Sequence, residues 1–256
     1  MAKLTSLFFR FVSLLFSAFY LATLPLSGLW RQTPQQPPLH GVITVTAHSG
    51  CMKLPDNSVA AMEAGVAAGA DIVEFDLNFR ADGAPVLSLG DPGEEACATL
   101  AEAFAFLAAH PDVKANVDVK STAFLEKVQP MAQEAGVLGQ LFFTGLDANA
   151  IPVAARACPD IPYYLNARVT ADEDPDALAE KAAALGALGV NLYHGDASAE
   201  LISAMHAKGL LVSVWTIEEK EDAVRAIRMG ADNITTYDPV LVRLLSPAAC
   251  RLPFTC

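Results

Sequence analysis

Residues 69–89 read GADIVEFDLNFRADGAPVLSL, and how this stretch divides decides the architecture. Ile72–Leu77 is β-branched, aromatic and apolar except for Glu74 and Asp76, which reads as a buried strand. Pro85–Leu89 reads as another. Only Asn78–Ala84, carrying Asp82-Gly83, lies between them, which is too short for a crossover helix and predicts an antiparallel hairpin.

Outward from this hairpin the chain alternates. Strands are predicted at Val42–Ala47, Ile72–Leu77, Pro85–Leu89, Val113–Val119, Leu141–Thr144, Ile161–Leu165, Val190–Tyr193, Leu211–Thr216 and Asn233–Thr236. Helical periodicity falls between most of them, at Ser58–Ala68, Thr99–His110, Thr122–Ala135, Ala148–Ala157, Pro175–Leu188, Ala197–Lys208 and Glu219–Met229. Gly69, Gly136, Gly189, Gly209 and Gly230 read as helix stops. With Pro85–Leu89 set aside as the hairpin's return strand, eight strands remain, and repeated βα units with eight strands predict an α/β TIM (β/α)8 barrel with a small β-hairpin insertion after the second strand. An open doubly wound sheet is the alternative. No G-x-G-x-x-G turn follows a strand, so a dinucleotide site has no support.

The barrel is expected to begin near His40 and to occupy residues 39–256. Ahead of it, Phe11–Trp30 is a run of twenty residues without a charge, about 30 Å long as a helix. Residues 1–31 therefore read as a transmembrane signal anchor or a cleaved signal peptide. Residues 32–38, rich in Pro and Gln, read as a tether. Either leader exports the barrel, leaving it membrane-anchored or secreted on the extracytoplasmic side, the periplasm in a bacterium. The N-terminal helix makes the membrane an expected partner.

The formal charge is −12; without Lys3, Arg10 and Arg31 the barrel has 14 basic against 29 acidic side chains, or −15. That balance argues against nucleic acid as a partner and suits a protein holding a divalent cation. Cys51, Cys97, Cys158, Cys250 and Cys256 show no C-x-x-C spacing, so a structural zinc site is not expected. Cys250 and Cys256 are close enough in sequence to close a small loop. Nothing near Cys51 marks it as an activated nucleophile.

A TIM barrel places its working side chains at the carboxyl ends of its strands. His48 follows the first strand, Glu74 and Asp76 lie near the end of the second, and Asp118 and Lys120 repeat the two-residue spacing at the fourth. Residues two apart share a strand face, so the carboxylates can converge, and three at one mouth repel unless a cation neutralises them. Oxygen ligation points to Mg²⁺ or Ca²⁺. A solvated strand edge is the bland alternative for Glu74 and Asp76, and a surface ion pair for Asp118 and Lys120. His194 closes Val190–Tyr193, and Trp215 lies near the end of Leu211–Thr216. His40, His110 and His206 read as surface or capping residues.

In order along the chain, His48-Ser49-Gly50, Pro55-Asp56-Asn57-Ser58, Gly69 to Asp76, Asp82 to Val86, Asp118-Val119-Lys120, Val214-Trp215-Thr216 and Gly230 to Thr236 resemble the motifs of the glycerophosphodiester phosphodiesterase family. The resemblance covers about His40 to Pro239 and implies a TIM barrel hydrolysing a glycerol- or lipid-derived phosphodiester. It implies that Glu74, Asp76 and Asp118 hold Mg²⁺ or Ca²⁺, with Asp118 standing where the family usually has glutamate. Lys120 would contact the phosphate and His48 would move a proton.

Two positions depart from the pattern. Ser49 replaces the arginine of H-R-G, removing a bidentate phosphate contact. Gly90 stands where the return strand's H-D supplies a second catalytic histidine. Another group such as His194 or Asp91 would have to fill that role, or one histidine would suffice, or the barrel would bind a phosphodiester or lipid headgroup without turnover. Arg168, just after Ile161–Leu165, is the candidate for the missing guanidinium.

Overall fold

The computed structural model describes residues 38–94, 96–170 and 173–246. The expected leader at 1–31, the tether up to residue 37, Cys250 and Cys256 lie outside the described residues. Among the described residues no helix is long and apolar enough to cross a membrane.

Strands β1 (Thr44–Ala47), β2 (Ile72–Phe79), β3 (Pro85–Leu87), β4 (Lys114–Val119), β5 (Leu141–Thr144), β6 (Leu165–Ala167), β7 (Gly189–Tyr193), β8 (Leu211–Ile217) and β9 (Asn233–Thr236) form one sheet. All pairings are parallel except β2 with β3, and β1 pairs with both β2 and β9. The seam between β5 and β6 is short. A single Phe143–Tyr163 bridge spans it, with amide bonds from Phe143 to Pro162, Tyr164 to Phe143 and Asn166 to Leu146 of 2.8, 2.9 and 2.8 Å. Eight parallel strands thus form the expected barrel, with β3 as a hairpin outside the path.

Helices α1 (Val59–Ala67), α2 (Leu100–Ala109), α3 (Val128–Glu134), α4 (Ile151–Ala157), α5 (Pro175–Ala184), α6 (Ala199–Ala207), α7 (Lys220–Met229) and α8 (Pro239–Leu245) alternate with the strands. Their starts follow from local chemistry. Ser58, Asp174 and Ser198 accept backbone N–H bonds at the N-termini of α1, α5 and α6, and Thr99 with Glu102 forms a full capping box on α2.

Three expectations need correction. The sixth strand is Leu165–Ala167 rather than Ile161–Leu165, because Pro162 has no N–H to give to a ladder and only the bridge at Tyr163 forms there. The helix stop before β7 is Gly186, at φ 72°. Gly189 instead opens β7, where a Cβ would lie 1.8 Å from the Leu211 carbonyl oxygen, so the neighbouring strand demands glycine. Helix α8 has no counterpart among the predicted helices, although Asp238 caps it and Pro239 sits in its first turn.

On β2 side chains alternate. Val73, Phe75 and Leu77 are fully buried among the apolar side chains of the main core, each such burial contributing about 1.5–3 kcal/mol, while Glu74 and Asp76 point inward. The barrel interior is polar: Thr46, Asn116, Thr144, Asn191, Ser213, Asn233 and Thr235 are all buried. Most satisfy one another. Asn233 accepts from Thr46 Oγ1 at 3.1 Å and Ser213 Oγ at 3.0 Å, and Thr144 Oγ1 donates to Asn116 Oδ1 at 2.6 Å.

At the amino ends of the strands, buried charge is paired. Asp232 accepts from the Leu39 amide at 2.6 Å and the Val212 amide at 2.7 Å, and its Oδ2 lies 2.9 Å from His206 Nε2. Asp71 accepts from the Val45 amide at 2.9 Å and pairs with Arg243, whose Nε donates to the Gly69 carbonyl at 2.8 Å.

Candidate functional site

Register places the carboxylates. Parallel pairing sets Asp76 beside Asp118 and Glu74 beside Asn116, so two acids of β2 and one of β4 meet at the carboxyl end of the barrel. One oxygen from each of Glu74, Asp76 and Asp118 lies within 4.8 Å of the others.

Each is held separately. Glu74 Oε2 accepts from the Ser49 amide at 2.8 Å. Asp76 Oδ2 accepts from Asn57 Nδ2 at 2.8 Å, and Asn57 Oδ1 accepts from the Asp76 amide at 2.8 Å. Asn57 adopts φ 58°, a left-handed conformation that asparagine tolerates, which turns its amide back onto Asp76. Lys120 Nζ lies 2.8 Å from Asp76 Oδ1 and 2.8 Å from Asp118 Oδ2. Gly145, at φ 76°, lets the backbone after β5 pass over Asp118; a Cβ there would lie 2.1 Å from Asp118 Oδ1.

Burial, then Asp76 and Asp118, push the Glu74 carboxyl well above the usual carboxylate range. Burial also raises Asp118, against the pull of Lys120. Burial opposes the charge on Lys120, but Asp118 and Asp76 outweigh it and hold the ammonium charged. For His48, burial lowers the imidazole below its ordinary value, although Asp76, Asp56 and Asp118 pull the other way. One lysine cannot neutralise three clustered carboxylates, and Asp118 Oδ1 is buried with no hydrogen-bond partner among the described residues. An all-oxygen donor set with surplus negative charge fits a hard divalent cation, and Glu74, Asp76 and Asp118 are the residues that would hold it.

Asp76 and Asp118 open into a cleft of about 620 Å³ lined also by His48, Lys120, Trp215 and Tyr237, among others. Its size suits a small polar ligand. His48 Nε2 lies 3.9 Å from Glu74 Oε2, and Ser49 Oγ lies 3.2 Å from His48 Nδ1. Ser49, which also lines the cleft, thus brings its hydroxyl to the histidine. Gly90 is exposed; its carbonyl accepts from Asn78 Nδ2 at 2.7 Å and Ser88 Oγ at 3.0 Å, and the exposed Leu89 beside it lines the cleft.

Three predicted site residues are not among those lining the cleft: Glu74, which meets Asp76 and Asp118 within 4.8 Å, and His194 and Arg168. His194 sits in a 3₁₀ turn after β7, its Nδ1 3.2 Å from Arg225 Nη2 and 3.5 Å from Asp222 Oδ1, so α7 engages its ring. The Arg168 side chain is 76% exposed, stacks 5.7 Å from the Tyr193 ring and reaches Asp196 at 3.8 Å.

Other residues enter that sequence reasoning did not single out. Tyr237 follows β9 directly and packs its ring 4.5 Å from that of His48. Burial, then Asp56, raises its phenol, which keeps its proton at neutral pH. The rule that picked out His48, a polar side chain just past a strand's carboxyl end, applies equally to Tyr237. Asn57 lay within the quoted P-D-N-S stretch, but its grip on Asp76 depends on a left-handed turn that spacing does not disclose.

Comparison with known proteins bears on this geometry. A sequence model described as the glycerophosphoryl diester phosphodiesterase family matches residues 48–91 and 90–241. No curated protein matches the chain. Among solved structures, a Silicibacter pomeroyi protein assigned as a glycerophosphoryl diester phosphodiesterase aligns at TM-score 0.71 and 19% identity, covering 87% of this chain and 96% of that one. A glycerophosphodiester phosphodiesterase from Parabacteroides distasonis aligns at 0.67 and 18%, covering 81% and 98%. An Oleispira antarctica phosphodiesterase, solved with its product sn-glycerol-3-phosphate, aligns at 0.67 and 20%, covering 82% and 99%. At these identities the structures speak to the fold, whereas the family match spans most of the chain and includes His48, Glu74, Asp76, Asp118 and Lys120. With its barrel and its acidic mouth, the chain belongs to the glycerophosphoryl diester phosphodiesterase family.

Proposed function

We propose that this enzyme hydrolyses a small glycerol-based phosphodiester to an alcohol and glycerol phosphate, using Mg²⁺ or Ca²⁺ held by Glu74, Asp76 and Asp118. The observation that carries the reading is the convergence of those carboxylates within 4.8 Å, two of them, Asp76 and Asp118, lining a cleft with His48 and Lys120. A bound cation would supply positive charge to phosphoryl oxygens. Lys120, kept charged by its neighbours, presents its ammonium to the same anionic group. His48, held neutral by burial, accepts a proton from the attacking water as the P–O bond to the alcohol breaks, and returns it to the departing alkoxide. Trp215 provides an apolar wall for the ligand's carbon skeleton. The product complex of the Oleispira antarctica phosphodiesterase supports the substrate class.

The deciding assay is turnover of glycerophosphocholine and of a chromogenic phosphodiester by the purified chain with Mg²⁺, Ca²⁺ or EDTA. Metal-dependent hydrolysis that His48→Ala abolishes is the expected result; no turnover above His48→Ala would overturn it. Binding without turnover would favour a barrel that recognises a phosphodiester or lipid headgroup. We further propose that the leader exports the barrel, which the uncharged run Phe11–Trp30 supports and which cell fractionation with amino-terminal sequencing tests.

A further inference from the structure

Beside the cleft lies a hollow of about 310 Å³, lined by Gly50, Met52, Lys53, Tyr237 and Asp238 and roomy enough for an alkyl group of several carbons. It is built by the loop that leaves β1 and the turn that leaves β9. The β1 loop serves both spaces: His48, Ser49 and Asp56 line the cleft, while Gly50, Met52 and Lys53 between them line the hollow. Tyr237 lines both, with its ring 4.5 Å from that of His48. The two spaces therefore share the wall against which His48 packs.

The loop is held in a costly shape. Met52 and Lys53 are consecutive left-handed residues, at φ 58° and 61°, a conformation that side chains disfavour and glycine takes freely. Backbone bonds fix it: the Met52 amide donates to the Tyr237 carbonyl at 2.9 Å, the Cys51 amide to the His48 carbonyl at 2.8 Å and the Asn57 amide to the Ser49 carbonyl at 3.1 Å. In this shape Met52 is 43% exposed, although it is apolar. Strained backbone of this kind concentrates at ligand clamps. A methionine there offers carbon chains an unbranched, adaptable surface.

Charge decides what the hollow takes. Its lining is mainly apolar, and its two charged side chains, Lys53 and Asp238, are of opposite sign. Asp238 Oδ1 already accepts from the Leu241 amide at 3.1 Å, and Lys53 makes no ion pair among the described residues. A quaternary ammonium there would meet an unpaired lysine, whereas an uncharged carbon chain meets methionine and tyrosine. We infer that the hollow is a subsite for the departing alcohol and that it selects an uncharged alkyl group. With hydrolysis as proposed above, on which this assignment rests, the alkoxide leaves beside His48, which returns its proton. The alcohol's carbons then run past Tyr237 toward Met52, and the glycerol phosphate half stays with Lys120 and Trp215 in the cleft.

The test follows the full chain with the methyl, butyl and octyl esters of sn-glycerol-3-phosphate. Each methylene between methyl and butyl is expected to raise kcat/KM about threefold, and the octyl ester is expected to exceed glycerophosphocholine. Met52→Gly, which keeps the left-handed backbone and removes the wall, is expected to cut the octyl-to-methyl ratio about tenfold, and Met52→Leu to restore it. A crystal structure with octyl phosphate, a monoester of the same alcohol, is expected to show its chain between Met52 and Tyr237. Equal kcat/KM for the three esters, an octyl chain lying along Trp215, or an unchanged ratio in folded Met52→Gly would overturn the assignment. Should no diester be hydrolysed, the proposed function falls. Tighter calorimetric binding of octyl than of methyl phosphate, lost in Met52→Gly, would then leave the subsite standing, and equal binding would remove both.

Discussion

At the amino ends of the strands, Asp232 is met by two backbone amides and His206, and Asp71 by an amide and Arg243. At the carboxyl ends, Glu74, Asp76 and Asp118 crowd together and, among the described residues, one lysine pairs with them and one carboxylate oxygen has no partner. Both sets are buried or half-buried acids at the ends of one sheet's strands. The first finds its hydrogen-bond and charge partners within the protein; the second carries more negative charge than its one lysine offsets. Surplus charge that the fold itself leaves unpaired marks the working end better than burial or acidity does.

The comparison breaks most visibly through activity. Asp76→Asn, or EDTA on the parent chain, is expected to lower kcat/KM by about 10³-fold or more, the scale of several kcal/mol of lost charge stabilisation. His48→Ala should cost about 10²–10⁴-fold in kcat, measured with the same phosphodiester. The amino end should respond in the opposite currency. Asp232→Ala should leave kcat/KM unchanged and lower unfolding stability in urea by about 2–5 kcal/mol, because it removes the acceptor of two backbone amides and a carboxylate contact of His206.

Subtler still is a stability gain at the active end. Since Glu74 titrates above its unfolded range, its ionised form costs stability as pH rises from the unfolded toward the folded value. Glu74→Gln should therefore raise the Tm of the metal-free protein at pH 7.5, and Ca²⁺ should raise the parent's Tm more at pH 7.5 than at pH 5. A lower Tm for Glu74→Gln would mean that the Ser49 amide bond outweighs the buried charge. The smallest effect concerns pH. With its imidazole held below the ordinary value, His48 stays neutral further into acid, so the acid limb of kcat/KM should fall below about pH 6.5.

What sequence disclosed divides along similar lines. Eight strands and the antiparallel hairpin were readable because strand periodicity and the seven residues between Leu77 and Pro85 leave little choice of topology. The Pro162 seam and α8 were not, since one depends on which side of a strand needs an N–H and the other on a short helix after the last strand. In the site, spacing along β2 and β4 identified Glu74, Asp76, Asp118 and Lys120 as neighbours, because register and alternation are nearly fixed by the fold. His194 looked equivalent to His48 in sequence, as each follows a strand. Their surroundings separate them: α7 supplies Arg225 and Asp222 to one, while the other faces open cleft. Loop geometry beyond the strand end carries that difference.

Gly90 has a consequence of a different kind. Its φ lies outside the left-handed region, a Cβ there would meet no atom within 4 Å, and its carbonyl is pinned by Asn78 and Ser88. For protein engineering it is a socket with fixed orientation and clear space, where a side chain can be installed without remodelling its surroundings. A series of histidine, lysine and aspartate at this one position would show how much of the barrel's repertoire is set by a single graft on an otherwise unaltered scaffold.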